Sequence, residues 1–316
     1  MRIVFFGTSR FAAGVLSYLI EKKQVEIAAI VTRPDRPQGR SLRLSHSPVK
    51  EEAVKLLPNV PLFQPEKASI DEFATVLGSF DADLFVVVAY GEIIKHNILT
   101  LPRLCCINIH ASLLPKYRGA APIQRCLMAG EKETGITIIE MVRAMDAGPM
   151  IERVKVAIPE TMTFGELEPK LLEAACIGLS NAIRAFEENR VVKEVQKEEA
   201  ATYAAKLMPS DEKIDWNHPA VTLHNLIRAL SPTPSAWCMI RIGNEEKRLK
   251  IKRSLVRRDL QPGKPREIIL AGKDALVVSC GKETLQLLEV QLEGKKSMPV
   301  PDFLRGLSNT SFSIVE

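Results

Sequence analysis

Four short apolar runs limit what this chain can fold into more than any other feature. Residues 3–6, 25–31, 84–89 and 105–109 are nearly unbroken stretches of Val, Ile, Leu, Phe, Ala and Cys. A strand with one wet face alternates apolar and polar residues, whereas a short run without alternation reads as a strand covered on both faces. Stretches with helical spacing lie between the runs, at residues 10–22, 47–57 and 70–78; the second opens with Ser47 as N-cap and Pro48 as first helical residue. Further strands are expected at 135–141 and 150–158, and a long helix at 164–188. Strands alternating with helices pair in parallel through right-handed crossovers. That predicts an α/β fold, a mostly parallel Rossmann-like sheet with helices on both faces.

At 316 residues the chain is long enough for two domains. Residues 189–210 carry little core pattern and read as a linker. Beyond a helix at 220–230 and the turn SPTPS come short alternating segments at 248–251, 267–270, 275–279 and 285–292, which predict a small β-barrel over 211–316. The formal net charge is +5, most of it beyond residue 190, which suits a polyanionic partner. Six cysteines without a C-x-x-C pair read as buried reduced thiols, and five scattered histidines predict no structural zinc. No run approaches the roughly 20 apolar residues that span a bilayer. The N-terminal run reads as a first buried strand rather than a secretory leader, so a cytoplasmic, monomeric protein is expected.

The first turn, Gly7-Thr8-Ser9-Arg10-Phe11-Ala12, lacks the G-x-G-x-x-G spacing that lets backbone approach a pyrophosphate, and there is no G-x-x-x-x-G-K-[ST] loop. Nicotinamide and ATP chemistry are disfavoured. The run at 105–109 ends differently. In Cys106-Ile107-Asn108-Ile109-His110 the strand period turns Ile107 and Ile109 one way and Asn108 and His110 the other. The two polar residues sit at the carboxyl end of the strand, where open α/β sheets place ligands. Either they are a solvated strand end, or an amide and an imidazole aimed at one developing oxyanion. The loop SLLPKYRGAAP that follows is apolar and bears glycine and proline, as a pocket wall for a planar ligand would. In the later loop MDAGPM, Asp146 is either a turn residue bonding its own backbone or a carboxylate that orients His110. Arg33, Arg36, Arg40 and Arg43 share one proline-bearing loop, which is either a solvated surface or a set of bidentate phosphate contacts. Lys250 and Lys252 share a strand face in the second domain, either as a nucleic-acid surface or as protection for an edge strand.

The string from Cys106 to Thr137, CINIHASLLPKYRGAAPIQRCLMAGEKETGIT, resembles the active-site region of the folate-dependent formyltransferases. VTRPDRPQGR, SPVK, VVVAYG and MDAGPMI extend the likeness, as do YAAKL, KIDW and GKKSM, so that it covers nearly the whole chain. The resemblance implies a Rossmann-like, folate-binding catalytic domain at 1–188. At 211–316 it implies a tRNA-binding barrel related to oligonucleotide-binding folds. It also implies 10-formyltetrahydrofolate as donor, the free α-amino group of initiator methionyl-tRNA as acceptor, and no metal. The family's catalytic set falls on Asn108, His110 and Asp146. Its folate contacts fall on Ser112, Leu113, Leu114 and Pro115, with Tyr90 and Gly91 of VVVAYG, and its tRNA acceptor-end loop falls on the arginine-rich segment. Two departures stand out: Ser9 and Arg10 follow Gly7-Thr8 where the family commonly has proline, and Ser41 and Leu42 stand where its loop often carries lysines. Two rival readings are a formyltransferase for a small amine (a sugar nucleotide or a purine precursor) and a non-catalytic RNA-binding protein on the same fold.

Overall fold

A computed structural model of the chain describes residues 1–38, 43–271, 275–307 and 311–315. The chain groups into two compact units, one of residues 1–119, 134–156 and 169–203, the other of residues 120–133, 157–168 and 204–316.

The first unit opens with β1 (Arg2–Gly7), α1 (Arg10–Lys22) and β2 (Glu26–Val31). Parts of the arginine-rich loop then form two short antiparallel strands, β3 (Arg36–Gln38) and β4 (Arg43–Ser45). Next come α2 (Pro48–Leu56), β5 (Leu62–Phe63), α3 (Asp71–Gly78), β6 (Leu84–Val88), α4 (His96–Leu99), β7 (Cys105–His110) and β8 (Arg118–Gly119). Local signals explain the helix starts. Ser9 accepts from the Ala12 N–H at 3.2 Å and Ser47 accepts from the Lys50 N–H at 3.0 Å, with Pro48 occupying the first helical position.

After α5 (Pro122–Met128), the hairpin β9 (Glu133–Glu140) and β10 (Met150–Ala157) leads into α6 (Phe164–Glu187). The sheet runs β10-β9-β7-β6-β1-β2-β5. The pairs β5/β2, β2/β1, β1/β6 and β6/β7 are parallel, and β7/β9 is antiparallel. The mostly parallel sheet expected from the sequence is present, and β9 is its reversed neighbour. Every residue of β6 is buried, which is why LFVVV shows no alternation. The stretch 189–203, which has little apolar pattern, joins this unit: Glu194 and Met150 exchange backbone hydrogen bonds of 2.8 Å, and β11 (Tyr203–Ala204) pairs with β8.

In the second unit α5 packs on α7 (Ala220–Leu230). An antiparallel, barrel-like sheet follows, built from β12 (Ala236–Ile242), β13 (Glu245–Arg257), β14 (Ile268–Ala271), β15 (Leu276–Ser279), β16 (Thr284–Leu292), β17 (Met298–Pro299) and, after α8 (Val300–Leu307), β18 (Phe312–Ile314). Trp216, Ile227, Cys238, Ile240, Leu249, Ile251, Leu285 and Phe303 share its core. All six cysteines are buried and none is in a disulfide, and desolvation pushes the Cys238 thiol up to about 12. No helix among the described residues is long and apolar enough to cross a membrane.

Candidate active site

The alternation of β7 holds in three dimensions. Ile107 and Ile109 are buried, Asn108 remains partly exposed, and His110 lies 5% exposed at the strand's carboxyl end. The antiparallel partner β9 sets their register, with Asn108 opposite Ile139 and His110 opposite Thr137. Asp146, from the loop joining β9 to β10, reaches both. Its Oδ1 is 3.4 Å from Asn108 Nδ2 and its Oδ2 is 3.6 Å from His110 Nδ1. The Gly119 backbone N–H donates to Oδ2 at 2.8 Å. Asp146 has a left-handed backbone, φ 53°, which Asp tolerates better than most residues. His110 Nε2 lies 2.9 Å from the Tyr117 carbonyl oxygen, which can only accept, so this nitrogen carries a hydrogen. The imidazole is thus held between a carbonyl and a carboxylate, while the Asn108 amide keeps donor capacity to spare.

The loop after β7 is built by its own polar groups. Ser112 is fully buried and donates to the Lys116 carbonyl at 2.6 Å. The Thr137 hydroxyl donates to the Ser112 carbonyl at 2.7 Å and accepts from the Leu114 N–H at 3.1 Å. Leu114 packs with Ile139 and Met150. Ser112 and Leu114 therefore shape the loop, and Leu113 and Pro115 are its partly exposed apolar members. At the end of β6 the Tyr90 ring is in the core, edge-on to Phe6 with centroids 5.5 Å apart. Burial and the Glu92 carboxylate raise its hydroxyl above the usual range. What this turn presents is backbone. Thr8 Oγ1 donates to the Tyr90 carbonyl at 2.8 Å, and Gly91 has φ 85°.

The exposed Arg33 lies along that turn: a Cβ built on Gly91 would meet its Nη1 at 3.4 Å. Arg36 pairs with Glu66 at 3.0 Å. Arg40 lies outside the described residues, and Arg43 enters only through the β4 backbone. The base of the loop is pinned through Asp35, which accepts from Lys50 Nζ at 2.5 Å and from Gln64 Nε2 at 2.8 Å; His46 Nδ1 is 2.8 Å away. The Lys50 and Gln64 hydrogen bonds lower the Asp35 carboxyl from 3.8 to about 2. A depressed carboxylate contributes stability that is fully present above its unfolded value and is lost as pH falls through its folded value. The melting-temperature gap between wild type and Asp35→Asn should therefore be constant above pH 3.8 and close as pH falls towards about 2. A gap that does not change with pH would show that Asp35 does not anchor the loop electrostatically.

In the second unit Lys250 and Lys252 share one face of β13, as the strand period requires. Their ammonium groups hold the turn before β12: Lys250 donates to the Pro234 carbonyl at 2.9 Å, and Lys252 to the Pro232 carbonyl and Ser235 Oγ, both at 2.6 Å. Burial and then the Lys250 charge lower the Lys252 pKa. On the neighbouring surface Arg248 stacks over the Trp237 ring, 4.2 Å from its centroid. Two residues to which the sequence reading gives no role of their own, Arg118 and Gln196, are buried beside the Asp146 loop. A lone glutamine in a charged segment carries no periodic signal that would single it out.

Residues 1–183 match the family model described as formyl transferase, and residues 206–308 match formyl transferase, C-terminal domain. A methionyl-tRNA formyltransferase of Protochlamydia amoebophila is 46% identical over 315 residues, 100% of this chain and 98% of that one. One from Brucella anthropi is 41% identical over 307 residues, 97% of this chain and 98% of the other. Among solved structures, WlaRD, a sugar 3N-formyl transferase crystallised in the presence of dTDP and 5-N-formyl-THF, is 18% identical. It superposes with a TM-score of 0.66 over 94% of this chain and 99% of its own.

Proposed function

This chain belongs to the methionyl-tRNA formyltransferases of the formyl transferase family, and on that premise we infer that it moves a formyl group onto the α-amino group of initiator methionyl-tRNA. The product, N-formylmethionyl-tRNA, serves translation initiation. The donor is 10-formyltetrahydrofolate, and the protein works as a monomer in the cytoplasm. The observation that carries the reading is the meeting of Asn108, His110 and Asp146 at one strand end in a chain 46% identical to a methionyl-tRNA formyltransferase.

The attacking amine has an ordinary pKa of about 7.7–8.0, so a useful neutral fraction exists near pH 7. Its addition to the formyl carbon turns the formyl oxygen into an oxyanion. The spare N–H of Asn108 donates to that oxygen as its charge develops. The formyl oxygen competes with the Tyr117 carbonyl for the hydrogen on His110 Nε2, and Asp146 braces the ring from the Nδ1 side. The Asp146 carboxylate, 15% exposed, also accepts the proton that the amine sheds, directly or through one water. The tetrahedral centre then collapses, expelling the donor nitrogen, which takes up a proton. The apolar, partly exposed Leu113 and Pro115 beside this strand end suit the flat ring of the folate. The Arg33–Arg43 loop with Arg36 and Arg40, and the basic face of β13, are the parts that meet RNA phosphate.

Incubating the purified chain with charged initiator tRNA and a labelled formyl donor tests this directly. Label should enter the methionine, and no transfer to this acceptor would sink the reading. Arg33→Glu should weaken tRNA binding and lower the slope of log affinity against log salt by about 1. An unchanged slope would remove Arg33 from the RNA contact.

A further inference from the structure

One side chain of the 189–203 stretch is out of character with its neighbours. Residues 192–195 and 197–200 are exposed, yet Gln196 between them is 8% exposed. Its carboxamide nitrogen donates twice, to the Asp146 carbonyl at 2.8 Å and to the Gly148 carbonyl at 2.7 Å. Its oxygen accepts twice, from Arg118 Nε at 3.1 Å and Nη2 at 2.9 Å. Two carbonyls can only accept and a guanidinium can only donate, so the amide has one possible orientation and every polar position on it is used. Arg118 is 2% exposed, and its remaining nitrogen, Nη1, pairs with both carboxylate oxygens of the exposed Glu198 at 2.9 Å.

We infer that Gln196, backed by Arg118, is a positioning residue for the formyl transfer proposed above: it clamps the Asp146 loop so that the carboxylate faces Asn108 and His110. The two carbonyls it holds belong to the carboxylate-bearing residue itself and to the second residue after it. They fix the loop at the point where the backbone turns left-handed. Arg118 is followed in β8 by Gly119, whose N–H holds the Asp146 carboxylate directly. Backbone and carboxylate are therefore located by one short stretch of chain, and Gln196 ties the first of these to it. A buried amide that loses its partners strands two carbonyls and a guanidinium, so the loop must move to recover hydrogen bonds.

The test is a double-mutant cycle on the full chain, with kinetics normalised to folded protein by circular dichroism and melting temperature. Gln196→Met keeps the side-chain length and removes all four hydrogen bonds. It should lower kcat about 10- to 100-fold with KM for donor and tRNA within about twofold, as a displaced catalytic group does. Added to Asp146→Ala, the same substitution should cost nothing further, because the group it positions is already gone. Gln196→Asn, which keeps the amide on a shorter stem, should fall between the two. A folded Gln196→Met with wild-type kcat overturns the proposal. So does an equal loss in both backgrounds, or failure of both Gln196 variants to fold, since each assigns the residue to general stability. A wild-type chain that transfers no formyl group in the same assay sinks the functional reading and this proposal with it, whereas an active wild type beside an equally active Gln196→Met sinks the clamp alone.

Discussion

Asn108→Ala will lower kcat by about 10²–10³, the typical effect of removing one oxyanion donor, and leave the KM values nearly unchanged. What each polar group at the strand end has left to give decides which of them answers the new charge. Both His110 nitrogens already face acceptors, Tyr117 and Asp146. Asn108 has one long contact, 3.4 Å to Asp146, and is partly exposed. It is therefore the donor best able to respond when charge appears on the formyl oxygen, at no cost in contacts broken. The neutral formyl group needs that bond far less than the oxyanion does, so the loss belongs in kcat. Single-turnover rates with saturating donor and tRNA measure it. A raised KM with unchanged kcat would make Asn108 a binding group and return the oxyanion to His110 alone.

The parts that could be read beforehand are those in which one physical rule acts alone. A run buried on both faces, such as β6, leaves no polar residue to blur the pattern. Two polar residues in step at the end of β7 stand out because the strand period puts them on one face. Elsewhere two rules compete. β12 buries Ala236, Cys238 and Ile240 in clean alternation, but it starts directly after the proline turn, which masks its beginning in the sequence. The pattern shows only four residues of β13 because the charged outer positions of EEKRLKIKRSLVR hide a strand that bends through register shifts near Arg253. Periodicity places Lys250 and Lys252 on one face, but no local rule shows that their amines close on the carbonyls of a turn 16 and 20 residues earlier in the chain. The stretch 189–203 is the clearest case. Its docking depends on backbone bonds at Glu194 and in the β8/β11 pair and on one glutamine, none of which leaves an apolar trace.

Gly148 shows how closely the Asp146 loop is fitted, and Gly148→Ala should damage both stability and turnover. A Cβ at this position would lie 1.7 Å from the Glu140 carbonyl oxygen and 2.9 Å from its carbon. Both are backbone atoms of β9, so no side-chain rotation relieves the clash. The chain must open the β9–β10 turn, whose closing bond runs from the Glu140 N–H to the Pro149 carbonyl at 3.0 Å. It must also disturb the Gly148 carbonyl that Gln196 holds. Overpacking of this kind costs about 1–3 kcal/mol. Asp146 lies two residues before the clash, and a shift of about 1 Å in a positioned group can cost about 100-fold in rate. Gly306 is the matched control: it lies in α8, and nothing comes within 4 Å of a Cβ built there. Gly306→Ala should therefore gain up to about 1 kcal/mol from helix propensity and leave kcat alone. Melting temperatures and kcat for the two variants, measured side by side, separate a local steric demand from a general intolerance of glycine replacement. If Gly148→Ala behaved like Gly306→Ala in both measurements, the close packing of the Asp146 loop against β9 would be wrong.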